Sequence, residues 1–172
     1  NTLKMYKKGW RGMNIDLNPL TIELFNFARP EDINICSAIS NKETKRDLYF
    51  LGDLDPKNTL NLHHKKWINK EFRINDKDIK KQKIKTQKLS KIFELNNFIE
   101  FDFMNIDIEG HELEVLQSLN FKKFKINVIC VEMLGYDKNS NLRKDKLIKF
   151  LKKNKYKLMK KSVINYIFKL NT

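Results

Sequence analysis

Four carboxylates in this 172-residue chain stand where apolar runs stop. Asp16 follows Met13-Asn14-Ile15, Asp107 and Glu109 follow the run 101–106, and Glu132 follows Val128-Ile129-Cys130-Val131. Short apolar runs of this kind read as buried strands. In an open α/β sheet the ligand crevice lies outside the carboxyl ends of the strands. Carboxylates gathered at that end can bind sugar hydroxyls, take a proton or hold a divalent cation. Each also has a structural reading. Asp16 suits the cap of a following helix, and Glu109 suits the positive end of a helix after Gly110. Asp107 and Glu109 lie two residues apart, so an extended backbone would put both on one face and make them a functional pair. Glu132 is costly inside a sheet and is expected to face the crevice or hold a partner. His111 is either a solvated helix-start residue or a base.

The elements that must position these groups alternate between strand and helix. A strand ending at Asp16 is followed by Asn18-Pro19, a helix start with proline at its first position. Leu20, Ile22, Leu24, Phe25 and Ala28 give that helix its apolar side, and residues 32–39 read as one strand buried on the side of Ile33, Ile35 and Ile39. Residues 47–51 add a strand, 52–87 read as insertion loops and short helices, and 88–97 as a helix. The strand through Ile106 gives way at Gly110 to a helix with Leu113, Leu116 and Leu119 at helical spacing. Residues 126–132 form a buried strand, 141–154 a basic amphipathic helix, and 156–159 with 163–170 an antiparallel closing pair. This alternation specifies an α/β fold with a mostly parallel sheet, since parallel neighbours need crossover connections. A single domain over 1–172 follows from the length and the lack of repeats or low-complexity linkers.

The charge balance, 35 basic against 21 acidic residues, gives +14. This invites a polyanionic partner, yet none of the nucleic-acid-binding motifs occurs, and a solvated lysine surface is the plainer reading. A specific nucleic-acid partner is therefore not expected. Cys36 and Cys130 each lie in an apolar run and read as reduced core residues. They form neither a disulfide framework nor a metal motif, which indicates a reducing, cytoplasmic compartment. No run reaches membrane-spanning length. His63-His64 does not read as a metal site, because adjacent residues diverge on a helix or strand. No phosphate loop of the GxxxxGK[ST] type is present.

Three stretches together resemble the FkbM-type methyltransferases in order and spacing: residues 6–19 (YKKGWRGMNIDLNP), residues 102–114 (DFMNIDIEGHELE) and residues 165–169 (NYIFK). The resemblance implies a Rossmann-like three-layer sandwich that transfers the methyl of S-adenosylmethionine to an oxygen acceptor, often on a sugar or other small molecule. It implies that Asp16 binds the cofactor ribose, that Asn18 lies near the adenosine, and that Asp107 ends its strand beside the methyl group. Glu109 and His111 then face the acceptor. The catalytic candidates are thus Asp107, Glu109 and His111, and the cofactor-binding candidates Asp16, Asn18 and Asp107. Removal of the acceptor's proton falls to Asp107 or Glu109. The alternative, in which these two and Glu132 hold Mg²⁺ against the acceptor, is less favoured, so no metal site is assigned. The family's first strand and glycine-rich turn precede the segment at Tyr6 and do not occur in this chain. That strand would sit between the Asp16 and Asp107 strands. A competing reading is a non-catalytic basic binding module on a degenerate Rossmann scaffold, whose mark would be salt-sensitive binding to polyanions.

Overall fold

Asn18 shows how local chemistry starts the architecture. Its side-chain oxygen accepts from Leu20 N at 2.9 Å, Pro19 occupies the first helical position, and the helix α2 (Pro19–Ala28) follows. The computed structural model describes residues 2–133 and 140–171. A single turn, α1 (Leu3–Tyr6), precedes β1 (Met13–Asp16). After α2 come β2 (Ile33–Cys36), β3 (Ala38–Ser40), β4 (Lys45–Phe50), α3 (Leu62–Glu71), β5 (Lys80–Lys88), α4 (Leu89–Leu95) and β6 (Glu100–Ile106). The chain continues through α5 (Glu112–Gln117), β7 (Lys125–Glu132), α6 (Ser140–Lys153), β8 (Tyr156–Lys161) and β9 (Asn165–Leu170).

These strands form three hydrogen-bonded groups, β1-β2, β3-β5-β4 and β6-β7-β9-β8. The result is a mixed α/β fold, with one change from expectation. Pairing is parallel for β1–β2, β3–β5 and β6–β7 but antiparallel for β4–β5, β7–β9 and β8–β9. Parallel pairs therefore do not predominate among the described residues. The physical reason is loop length: residues 41–44 and 162–164 are too short for a crossover, so the chain must reverse at each.

The expected strand over 32–39 is two strands. Ser37 ends the pairing with β1, its N–H reaching Asp16 O at 2.8 Å, and β3 then pairs with β5. Burial rises along the run and is not confined to one side: Ile33 is 36% exposed, Ser37, Ala38 and Ser40 are buried, and Ile39 packs against the core. Cys36 is exposed and Cys130 buried, so only Cys130 is the core thiol the sequence suggested. Small residues at Ser37, Ala38 and Ser40 allow the backbone itself to come close to neighbouring elements.

Strand β5 is the larger surprise, because KKQKIKTQK carries one apolar residue and falls in a region expected to be loops and short helices. Backbone pairing on both sides holds it, with β3 along one edge and β4 along the other. Asp47 on β4 draws in Lys81 at 3.1 Å and Lys83 at 2.6 Å. The buried Thr86 hydroxyl donates to the carbonyl of Lys42 at 2.6 Å.

The main core lies against β6-β7-β9-β8. Ile126, Ile129, Val131, Leu116, Leu151 and Phe168 are fully sequestered there, in one cluster fed by α4, α5 and α6. Phe93 and Phe124 meet edge-on at 5.5 Å, a geometry that aromatic rings favour. Met13 and Ile15 of β1 pack against the same cluster, yet no backbone pairing joins β1 to β6 among the described residues. Both strands instead line a cleft of ≈ 490 Å³. Among the described residues no helix is long and apolar enough to cross a membrane.

Candidate functional site

Asp16 closes β1 and turns its carboxylate back on the chain, where Oδ1 accepts from Asn18 N at 2.7 Å. Burial pushes this carboxyl above the usual range; the Asn18 and Leu17 amides pull it down, and the charge of Asp107 raises it. Asp16 lines the cleft between β1 and β6 near its carboxyl end, together with Asp107. Asn18 is 7% exposed, and its side chain is engaged in capping α2 rather than lining the cleft.

Beyond Asp107 the backbone leaves the strand. Glu109 has φ 54° and Gly110 φ 90°, so two successive residues are left-handed. Glycine tolerates this, whereas Glu109 pays about 1 kcal/mol for it. The extended geometry that would put Asp107 and Glu109 on one face is therefore absent, and a turn brings them together instead. Both line a second cavity of ≈ 190 Å³ with Glu112, Glu132, Arg143 and Lys146.

The turn is held from two directions. Glu112, the first residue of α5, bends its carboxylate back to accept from Gly110 N at 2.9 Å and Ile108 N at 3.3 Å. From the segment before α3, Thr59 Oγ1 donates to Glu109 O at 2.9 Å and Asn61 Nδ2 donates to Gly110 O at 2.5 Å. His64 of α3 places Nε2 3.3 Å from Glu109 Oε2.

The electrostatics of the cavity follow from like charges in a confined space. Burial first, then the charges of Asp107, Glu132 and Glu112, push the Glu109 carboxyl up to about 8. Glu132 rises to about 7 through burial and through its hydrogen bond with Asp107. Glu112 also rises to about 7, burial outweighing the backbone amides that favour its charge. Carboxyls so close cannot all ionise, and near neutral pH the group retains protons.

The structure thus brings Asp107, Glu109 and Glu132 together, and puts Asp16 in the adjoining cleft. It does not bring His111 to them. That ring is 5% exposed, with Nε2 3.0 Å from Ser40 Oγ on β3, and it lines neither cavity. Burial pushes its basicity down, Glu114 raises it and Arg46 lowers it.

Sequence reasoning missed Glu112 and His64. Glu112 lies inside the motif GHE at a helix start, where a back-turned carboxylate is a familiar device. His64 had a signal too: it shares the buried face of α3 with Ile68, four residues on, the spacing of one helical stripe. The neighbour His63 is exposed, as the divergence of adjacent residues requires. No group of three or more His, Cys, Asp or Glu that could hold a metal ion occurs among the described residues.

The model of the methyltransferase FkbM domain matches residues 1–158 of the chain. The protein belongs to the FkbM methyltransferase family. No curated protein and no solved structure matches it. The family match takes in β1, the β6–α5 turn and every residue of both cavities, and ends within β8. It therefore includes the first two stretches of sequence resemblance and excludes the third, residues 165–169.

Proposed function

We propose that this FkbM methyltransferase is S-adenosylmethionine-dependent and methylates a hydroxyl of a small molecule or glycan, on a Rossmann-like three-layer scaffold forming one domain. The observation that carries this reading is the position of Asp107, which lines both the β1–β6 cleft and the acidic cavity. One side chain at the junction of two cavities is what transfer between a donor and an acceptor requires.

The cleft suits the cofactor. At its carboxyl end, where Asp16 and Asp107 lie, the partly buried Asp16 carboxylate supplies an acceptor for ribose hydroxyls. When bound, S-adenosylmethionine supplies an electrophilic methyl group on a sulfonium. Asn18 contributes by fixing Asp16 and the start of α2, so its role is to hold the adenosine end of the cleft in shape.

The smaller cavity suits the acceptor. About 150 Å³ holds one benzene ring, so ≈ 190 Å³ takes one ring-sized part of a substrate. That size favours a sugar or small hydroxyl compound over nucleic acid, with the lysine-rich surface left to solvation. Glu109, held near 8, is matched to receive the acceptor's proton at mildly alkaline pH, where it is ionised. Asp107 aligns the acceptor hydroxyl, and its hydrogen bond to Glu132 keeps that pair oriented. No metal ion is needed for these steps. His111, tied to Ser40, supports the turn from β3 rather than touching substrate. A cytoplasmic location goes with this reading, both thiols being free. The basic-module alternative gains nothing from membership in a methyltransferase family.

The test is isothermal calorimetry of the full-length protein with S-adenosylmethionine. Saturable binding supports the proposal, and its absence overturns it.

A further inference from the structure

Among the described residues fourteen large apolar side chains stay exposed, and six of them, Leu3, Trp10, Leu20, Leu24, Phe27 and Ile33, fall within residues 3–33. Their concentration has a helical cause. Leu20, Leu24 and Phe27 recur at i, i+4 and i+7 on α2, which lines them along one side of the helix. Ile22, Phe25 and Arg29 occupy the opposite side, where Ile22 is buried and the Arg29 guanidinium lies 5.1 Å over the Phe25 ring. The helix is thus apolar on two sides and covered on one. On the uncovered side Phe27 is 89% exposed and Leu24 57%.

The same corner is basic. Residues 2–11 are fastened beside the end of α2: Arg29 donates to Thr2 Oγ1 at 2.7 Å, the Tyr6 hydroxyl donates to Glu31 at 3.0 Å, and Arg11 pairs with Glu31. This brings Lys4, Lys7 and Lys8 to the end of α2, all exposed and none in an ion pair among the described residues. The helix itself carries no Lys or Arg, and Glu23 is its only charge.

We propose that this corner docks on an anionic membrane surface, with Leu20, Leu24 and Phe27 entering the boundary between headgroups and acyl chains and Lys4, Lys7 and Lys8 lying over the headgroups. Attachment of an amphipathic surface scales with the apolar area it buries plus its attraction to anionic lipid, and this corner supplies both. The net charge of +14 selects the partner. It draws the chain toward an anionic leaflet and drives two copies of it apart. Area disfavours a second copy as well. One aromatic ring, about 150–250 Å² when wholly buried, with two part-exposed leucines falls short of the ~800 Å² per partner of a stable interface. The lysines stay hydrated and act through their field. No described helix is long and apolar enough to cross the bilayer, so the attachment is peripheral.

Flotation of the full-length protein with vesicles tests this, using phosphatidylcholine alone and an equal mixture of phosphatidylcholine and phosphatidylserine. Wild type is expected to float with the mixed vesicles at low salt, to be released as salt rises, and to stay unbound to phosphatidylcholine alone. Phe27→Ser should weaken the partition by about tenfold or more, the worth of moving one large apolar side chain out of water. The fold should survive, since that ring is almost wholly exposed, and Leu24→Ser should act in the same direction. Val163→Ser removes a side chain as exposed as Phe27 from the turn between β8 and β9, and should leave binding unchanged. Lack of flotation at low salt overturns the proposal. So does flotation that Phe27→Ser leaves intact or that Val163→Ser weakens equally, because either result reduces the contact to the overall charge of the chain. Sedimentation equilibrium covers the other occupant: a wild-type dimer that Phe27→Ser dissociates would put a second copy on α2 and overturn the membrane assignment. None of these readouts involves S-adenosylmethionine, so they stand whatever the cofactor titration shows.

Discussion

The sheet β6-β7-β9-β8 and the sheet β3-β5-β4 are held together by different means. In the first, Ile126, Ile129 and Val131 of β7 are fully buried, and α5 and α6 close over the core. In the second, β5 buries only Thr86 and exposes most of its lysines. Side-chain burial, at about 25 cal/mol per Å² of apolar surface, dominates one, and backbone pairing dominates the other. Yet the poorly covered sheet flanks the insertion that fastens the Glu109 turn of the well-covered one. The acidic cavity thus belongs to both regions, and stability and chemistry should separate along that line.

The largest effect should come from the carboxylate where the two regions meet. Glu109→Gln is expected to lower methyl transfer by about 10²- to 10⁴-fold, the usual worth of a general base, while leaving S-adenosylmethionine affinity unchanged. Transfer from radiolabelled cofactor and calorimetry read the two quantities; full activity would remove Glu109 from the chemistry. In the well-covered sheet, Phe124→Ala should cost about 3–5 kcal/mol, because the ring is 1% exposed. Urea unfolding measures this, and a loss below 1 kcal/mol would contradict a packed core at that position. At the cleft, Asp16→Ala should weaken cofactor binding by roughly 10- to 100-fold, the range for hydrogen bonds to a charged group. Calorimetry showing wild-type affinity would refute the ribose assignment.

Stability against pH sharpens the contrast further. Glu109, Glu112 and Glu132 titrate near 8, 7 and 7 when folded against an ordinary value of 4.5. The folded state therefore holds protons that the unfolded chain has released, and their contribution declines as pH rises from about 4.5 to 8. His64, lowered from 6.5 to about 4, acts oppositely, its contribution being lost as pH falls through that interval. Between pH 6.5 and 8 only the carboxyls remain active, so the melting temperature should fall across this window, and Glu112→Gln should flatten the fall. An equally steep slope in the variant would mean that Glu112 ionises freely. The smallest effect belongs to the exposed sheet: Lys83→Gln, which removes a surface partner of Asp47, should leave the urea midpoint unchanged, as exposed ion pairs contribute little.

Legibility in the sequence follows the same division. Strands β1, β6 and β7 and helices α2, α4 and α6 are marked by apolar period or by caps, and their positions agree with the sequence to within a few residues. Strand β5 carries no such mark, because its order comes from partners far away in the chain. The break at Ser37 was hidden for a related reason: an unbroken apolar alternation does not reveal that successive residues join different sheets. Asp107, Glu109 and Glu132 were identifiable as carboxylates ending apolar runs. Their meeting through a left-handed turn was not, since φ at Glu109 is imposed by Thr59, Asn61 and Glu112. His111 shows the converse, a residue with suitable chemistry at a suitable spacing that the fold commits to Ser40.

The cleft between β1 and β6 has one more consequence, in colloidal behaviour. Among the described residues each strand is bonded along one edge only, so alternate N–H and C=O groups of both point into the same gap. A gap lined by two strand edges is a template for any extended peptide, which could satisfy both rows at once. Filling the gap is therefore expected to raise solubility, a gain that light scattering would read.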